Sequence, residues 1–203
     1  MASKKTIYIV RHGETDYNKQ GIVQGSSIDS SINELGQKQA NCFWEAYKDV
    51  PFNKIYTSKL KRTHQSIQKF IDKGTSWEQM SALNEISWGD YDGTKLTEDN
   101  YYWQVVDKWN NGELDYRISG GESPKDVALR QKEFIDKILK EDDDLVLVAM
   151  HGRALRILIS NYVLNDLNKM DTVSHRNLGL YILEVEEGQI SMKFENLTEH
   201  LID

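Results

Sequence analysis

One cysteine, two prolines and no long apolar run stand out by their scarcity in a chain of 203 residues. With Cys42 as the only thiol, no intramolecular disulfide can form. No segment approaches the ~20 apolar residues of a membrane-crossing helix. The N-terminal MASKKTIYIVRHG has two lysines followed by only a short apolar run, which is not the pattern of a signal peptide. A cytoplasmic protein with no membrane partner is therefore expected. Positive charge is also in deficit, with 25 Lys and Arg against 32 Asp and Glu and a net charge of -7. Such a balance argues against a broad nucleic-acid-binding surface, but it permits a local basic pocket.

What is present suits a globular protein: 39% hydrophobic and 28% charged residues, with no repeat, low-complexity tract or linker. We expect one domain over residues 1–203. Three short apolar runs read as buried strands, Thr6 to Val10, Lys54 to Ser58 and Leu145 to Met150. Helical patterns cover Ile32 to Tyr47, Leu60 to Phe70, Pro124 to Leu139 and Ala154 to Leu164. For the third, Ser123 is the expected N-cap, Pro124 a first-turn proline and Asp126 the capping-box acid. Two alternating segments around Glu187-Gly188 predict a hairpin and one antiparallel strand. Strands alternating with helices predict an α/β fold, a three-layer α/β/α sandwich on a mostly parallel sheet. The aromatic, glycine-containing stretch from about 87 to 121 is expected to form a helix and loops covering one end of that sheet.

Ligands of open parallel sheets bind beyond the carboxyl ends of the strands. Three predicted strands end there in residues that carry chemistry. The first leads into Arg11-His12-Gly13, the second into Ser58 and then Arg62, the third into His151-Gly152-Arg153. A neutral imidazole attacks phosphorus and splits one hard displacement into two easier ones. Guanidinium groups match phosphate oxygens in a bidentate, permanently charged way. A glycine at position 13 lets the backbone approach a substrate closely.

At these residues the chain resembles the histidine phosphatase superfamily, the phosphoglycerate-mutase-like fold. RHGETDYN (Arg11 to Asn18) resembles the signature whose histidine is phosphorylated. YTSKLKRTHQS (Tyr56 to Ser66), LNEISWGDYDG (Leu83 to Gly93), GGES (Gly120 to Ser123) and MHGRALRIL (Met150 to Leu158) resemble later blocks, in family order. The resemblance implies His12 as nucleophile and Glu85 as general acid. It implies Arg11, Arg62 and His151 around the phosphoryl group, with Asn18 as a further polar contact. Glu85 must then carry a proton when the ester bond breaks. No metal or organic cofactor is implied, and the partner is a small phosphorylated metabolite.

The expected activity is hydrolysis of a phosphate monoester through a phosphohistidine. Only about twenty residues separate Arg62 from Glu85, and a short cover leaves the intermediate open to water. The alternatives are a mutase that returns the phosphoryl group to another substrate hydroxyl, and a non-catalytic phospholigand-binding protein. A metal site from His12, His64 and His151 matches no ligand spacing, and neighbouring arginines repel a cation. Arg153 stands open between a contact to a second anionic group and a first-turn surface residue. Trp88, Trp103 and Trp109 read more readily as packing than as pocket wall. His64, His175 and His200 carry no motif and read as surface or core. Cys42 reads as buried and inert. Edge pairing through the C-terminal strands permits a homodimer.

Overall fold

In the computed structural model, which describes residues 4–97 and 101–201, the sheet grows from strand β1 (Lys5–Arg11). Its Ile7, Ile9 and Val10 are fully buried, as a strand covered on both faces requires. β1 pairs in parallel with β4 (Leu145–Met150), and β4 pairs in parallel with β2 (Lys54–Thr57). A short edge strand β3 (Ser76–Gln79) continues the parallel sheet beyond β2. On the other side β5 (Leu180–Glu186) runs antiparallel to β1, and β6 (Gln189–Leu197) pairs antiparallel with β5. The order β3-β2-β4-β1-β5-β6 thus contains one strand, β5, that opposes all the others. Glu187 and Gly188 join β5 to β6 with φ of 53° and 79°. Two successive positive φ values make the tight primed turn whose twist matches a hairpin.

Helices cover both faces. On one, Phe43 of α2 (Glu34–Tyr47) and Phe70 of α4 (Gln68–Asp72) pack on Val10, Ile55 and Leu147. On the other, α5 (Tyr101–Asn110), α6 (Pro124–Lys140) and α7 (Gly152–Tyr162) pack on Ile7, Ile9, Val146 and Val148. The architecture is the expected α/β/α sandwich. The capping box of α6 forms as read: Ser123 Oγ accepts from the Asp126 amide at 3.2 Å, and Asp126 Oδ2 accepts from the Ser123 amide at 2.8 Å.

Several boundaries differ from expectation. The helix read from Ile32 begins at Glu34, because Asn33 caps it by accepting from the Gly36 amide at 2.9 Å. Ile32 instead forms a bridge with Thr15. The helix read over Leu60 to Phe70 breaks at Ile67, whose φ of −128° is not helical, into α3 (Lys61–Ser66) and α4. A one-turn helix, α1 (Asp16–Gln20), follows the RHG segment within its own capping box of Thr15 and Asn18. Cys42 on α2 is half-buried rather than buried. No helix among the described residues is long and apolar enough to cross a membrane.

Candidate active site

β1, β2 and β4 deliver their C-terminal residues to one rim. The His12 amide donates to the Met150 carbonyl at 3.0 Å, and the Ser58 amide to the Ala149 carbonyl at 3.3 Å, so the three strand ends are laced together. The His12 and His151 rings then lie side by side, tilted by 59°, with centroids 5.2 Å apart. Arg62 lies fully buried beneath them, and its Nε donates to His151 Nδ1 at 3.1 Å. Its Nη1 and Nη2 donate to the carbonyls of Ile28 and Gly25 at 2.5 and 3.3 Å. The structure therefore brings His12, Arg62 and His151 together, as the strand topology predicted.

The loop that receives Arg62 is itself fastened. Asp92 accepts from the Gly25 amide at 2.6 Å and from Ser27 Oγ at 2.5 Å. Asp92-Gly93 is a turn, with Gly93 at φ 85°, and it is also the clamp on that loop. Gly13 serves a different contact from the one expected. A Cβ there would sit 2.8 Å from the Gly36 carbonyl oxygen, so the glycine permits close approach of two backbones. Its amide donates to Ser66 Oγ at 2.8 Å.

An open cleft of about 390 Å³ lies over His12. Arg11, Asn18, Glu85, Trp88, Tyr102, Trp103, Arg153, Arg156 and His175 share its lining with His12. Arg62 and His151 stand behind this lining rather than in it. Asn18 Oδ1 accepts from the Thr15 amide at 3.2 Å and from Asn177 Nδ2 at 3.4 Å. Asn177 Nδ2 also donates to the His12 carbonyl at 2.8 Å.

Glu85 reaches the cleft from a loop and caps a helix far away in sequence. Its carboxylate accepts from the Arg153 and Ala154 amides of α7 at 3.1 and 2.8 Å, and from its own neighbour Ile86 at 2.9 Å. The otherwise unpaired amides of the α7 N-terminus thus orient it. α7 starts at Gly152, two residues before the expected start, and lacks a local side-chain cap. Arg130 of α6 holds the loop itself, donating to the carbonyls of Ala82, Asn84 and Glu85 at 2.8, 2.9 and 3.1 Å while pairing with Glu122 at 2.8 Å.

Several side chains correct or complete the sequence reading. Trp88 and Trp103 line the cleft, whereas Trp109 is core and lies against Trp88 with centroids 5.3 Å apart. Arg153 is no surface residue: it is buried, ion-paired to Asp171 at 2.5 Å, with its guanidinium 5.6 Å from the Trp109 ring centre. His175 is a site residue the sequence did not mark. Its Nδ1 accepts from Arg11 Nη1 at 3.0 Å. Arg156 and Tyr102 were missed too. Only their helical spacing from His151 and within the aromatic stretch hints at them. His64 and His200 lie elsewhere, bonded to the carbonyls of Ser58 and Leu178 at 2.9 Å each.

The electrostatics follow from packing. Burial, followed by the charges of Arg62 and Arg11, pushes the His12 pKa well below its ordinary value; the Gly13 carbonyl opposes this. Burial, followed by Arg62, does the same to His151. Burial, followed by Arg11, pushes His175 down to about 2. Burial lowers Arg11 and Arg62 to about 10, which leaves both charged at neutral pH. The site is thus a set of uncharged imidazoles among fixed guanidinium cations. Among the described residues, no group of three or more His, Cys, Asp or Glu is arranged to hold a metal.

Residues 7–198 match the histidine phosphatase superfamily, branch 1. A protein from Erwinia tasmaniensis named "Probable phosphoglycerate mutase GpmB" is 32% identical over 161 residues, spanning 76% of this chain and 73% of that one. The Bos taurus "Fructose-2,6-bisphosphatase TIGAR" is 34% identical over 143 residues, spanning 66% of this chain and 52% of that protein. The crystal structure of the alpha-ribazole phosphatase from Shigella flexneri superposes with a TM-score of 0.83 at 19% identity, covering 98% of this chain and 99% of that one.

Proposed function

Because the chain belongs to the histidine phosphatase superfamily, branch 1, we propose that it hydrolyses a small phosphate monoester through a phosphohistidine formed on His12. The observation that carries this reading is the 2.7 Å bond between His12 Nδ1 and the Gly13 carbonyl. A carbonyl only accepts, so Nδ1 holds the ring proton and Nε2 keeps its lone pair. Burial beside two guanidinium groups keeps that ring uncharged, as a nucleophile must be.

In the first half-reaction Nε2 attacks phosphorus, and the N–P bond forms as the ester P–O bond breaks. The leaving alkoxide takes a proton from Glu85. In the second, Glu85 removes a proton from water, the water oxygen bonds to phosphorus, the N–P bond breaks and inorganic phosphate leaves. Arg11 lines the cleft and opposes the charge on the phosphoryl oxygens. Arg62 supports it from behind, since each of its Nη atoms uses one hydrogen on a carbonyl and retains another. Such pre-placed charge is commonly the largest catalytic contribution in phosphoryl transfer. Asn18 and Asn177 position the His12 backbone and the near wall.

Brief mixing with ³²P-labelled monoester, followed by denaturation, should leave acid-labile label on His12. The His12→Ala variant should take none and lose roughly 10⁴-fold or more in kcat. Wild-type protein that turns over without ever labelling would sink the reading. The Erwinia relative's name makes phosphate transfer between two substrate hydroxyls the second reading. It is favoured if phosphoglycerate isomerises without release of inorganic phosphate.

A further inference from the structure

Arginines in and around the cleft find two kinds of partner. Arg153 and Arg156 both bond one oxygen of Asp171, at 2.5 and 2.6 Å, and Arg130 pairs with Glu122 at 2.8 Å. Arg11 and Arg62, whose charges bear on His12, form no ion pair among the described residues. Each donates instead to Nδ1 of an imidazole: Arg62 Nε to His151 at 3.1 Å, and Arg11 Nη1 to His175 at 3.0 Å. Glu14 and Glu85 act on Arg11, and Glu85, Asp29 and Asp92 on Arg62, through space alone. Each of these carboxylates is engaged elsewhere. Glu85 holds the α7 amides, and Asp29 accepts from the Lys61 amide at 2.7 Å. Asp92 clamps Gly25, and Glu14 accepts from Asn33 Nδ2 at 2.8 Å.

A guanidinium nitrogen only donates, so Nδ1 of both rings accepts and the ring proton sits on Nε2. For His151 that proton meets Ser58 Oγ at 2.7 Å. Such a ring aims a guanidinium as a carboxylate would, yet carries no charge to set against it. Burial, then Arg11, Arg156 and Arg153, push His175 down to about 2, so it stays neutral. Burial lowers Arg11 only to about 10, so its charge persists. Among the described residues the bond to His175 is the one hydrogen bond of the Arg11 side chain, whose Nε is buried without a partner. The backbone leaves room for this pair. A Cβ on Gly152 would lie 3.0 Å from Cε1 and 3.2 Å from Nε2 of His175, and 3.3 Å from Arg11 Nε.

Resting on the phosphoryl-transfer reading above, we propose that His175 is a positioning residue: its Nδ1 aims the Arg11 guanidinium at the phosphoryl oxygens and leaves them the whole of its charge. Charge fixed in place before the reaction needs no reorganisation during it.

Three replacements separate aim from charge. Gln offers Arg11 a neutral acceptor, Ala offers none, and Glu offers an acceptor that also cancels the charge. On p-nitrophenyl phosphate, His175→Ala should lower kcat roughly 10–10²-fold, with KM up only a few-fold. His175→Gln should stay within about threefold of wild type, and His175→Glu should fall at least as far as the alanine variant although it restores the bond. Near-wild-type kcat in either the alanine or the glutamate variant, or a loss in His175→Gln equal to that in His175→Ala, overturns the proposal. So does activity that follows stability in chemical denaturation rather than the acceptor offered. Should the glutamate variant fail to fold, glutamine against alanine decides. Calorimetric titration of inorganic phosphate reads the aim of Arg11 without turnover: affinity should fall roughly fivefold in His175→Ala and hold in His175→Gln. That pattern with no label on wild-type His12 would refute the hydrolytic mechanism and support the positioning role. Labelled His12, with kcat and phosphate affinity unchanged in His175→Ala, would do the reverse.

Discussion

At and behind the floor of the cleft, His12, Arg62 and His151 are held by directional bonds to one another and to loop carbonyls. In the aromatic part of the lining, Trp88, Tyr102 and Trp103 pack in a row, with Trp88 and Tyr102 centroids 4.4 Å apart and Tyr102 and Trp103 4.9 Å apart. The two regions meet the same space by different physics. A buried polar floor has few satisfactory arrangements, because each unpaired donor or acceptor costs about 1–3 kcal/mol. An aromatic wall is less directional, and its members contribute according to the area they bury. The difference assigns chemistry to the floor and fit to the wall.

Glu85 stands where the two regions join, and it gives the largest effect after loss of the nucleophile. Glu85→Gln keeps one carbonyl oxygen for the α7 amides but cannot give a proton to the leaving group. It should lower kcat by roughly 10²–10⁴-fold on alkyl phosphates. On p-nitrophenyl phosphate, whose leaving group needs little protonation, the loss should be far smaller. Equal losses on both substrates would move Glu85 from acid to scaffold and blur the division between floor and wall.

Trp88→Ala probes the wall at its most buried point. The ring touches both Tyr102 and Trp109, and its removal should cost about 3–5 kcal/mol in chemical denaturation. A loss below about 1 kcal/mol would mean that the wall is not a packed unit.

The buried imidazoles beside the arginines also contribute to stability, and that contribution depends on pH. His175 is pushed down to about 2 in the folded protein by burial and neighbouring cations, while the unfolded chain returns it to about 6.5. The unfolded state therefore binds the proton first as pH falls, and stability drops from about pH 6.5 downward. His12 and His151, also depressed, act with the same sign. Replacing His175 by Gln, which keeps an acceptor for Arg11, should remove about 2 kcal/mol of the stability lost between pH 7 and pH 5. Unfolding curves at the two pH values measure it. An unchanged loss would show that His175 is not neutral in the folded state.

The floor was also the region legible in the sequence, and the reason is the same directional economy. Strands that end in Arg11-His12, Ser58 and His151 are short apolar runs bounded by polar chemistry, so both the element and its cargo are visible. β3 was not. Ser76–Gln79 lies exposed on the sheet edge and has no apolar run to mark it. The break of the second helix at Ile67 has no proline or glycine to announce it. His175, Arg156 and Asp171 escaped because a long-range ion pair leaves no local pattern. Arg153 was left open between substrate contact and surface for the same reason: nothing near position 153 shows that Asp171 and Trp109 will enclose it.

The smallest effect belongs to Trp103, and it separates fit from stability within the wall. The ring is 44% exposed, lies edge-on to Tyr102 and donates its indole N–H to the Thr97 carbonyl at 3.0 Å. Half its surface already meets water, so Trp103→Ala should change folding stability by less than about 1 kcal/mol. Because the ring lines the cleft, KM for bulky monoesters should rise a few-fold, by roughly the 0.5–1.5 kcal/mol of one aromatic contact. For a small monoester, which would not reach the wall, KM should stay put. A fall in kcat of the size expected for Glu85→Gln would place Trp103 with the floor's chemistry, and the line between the two regions would have to be redrawn.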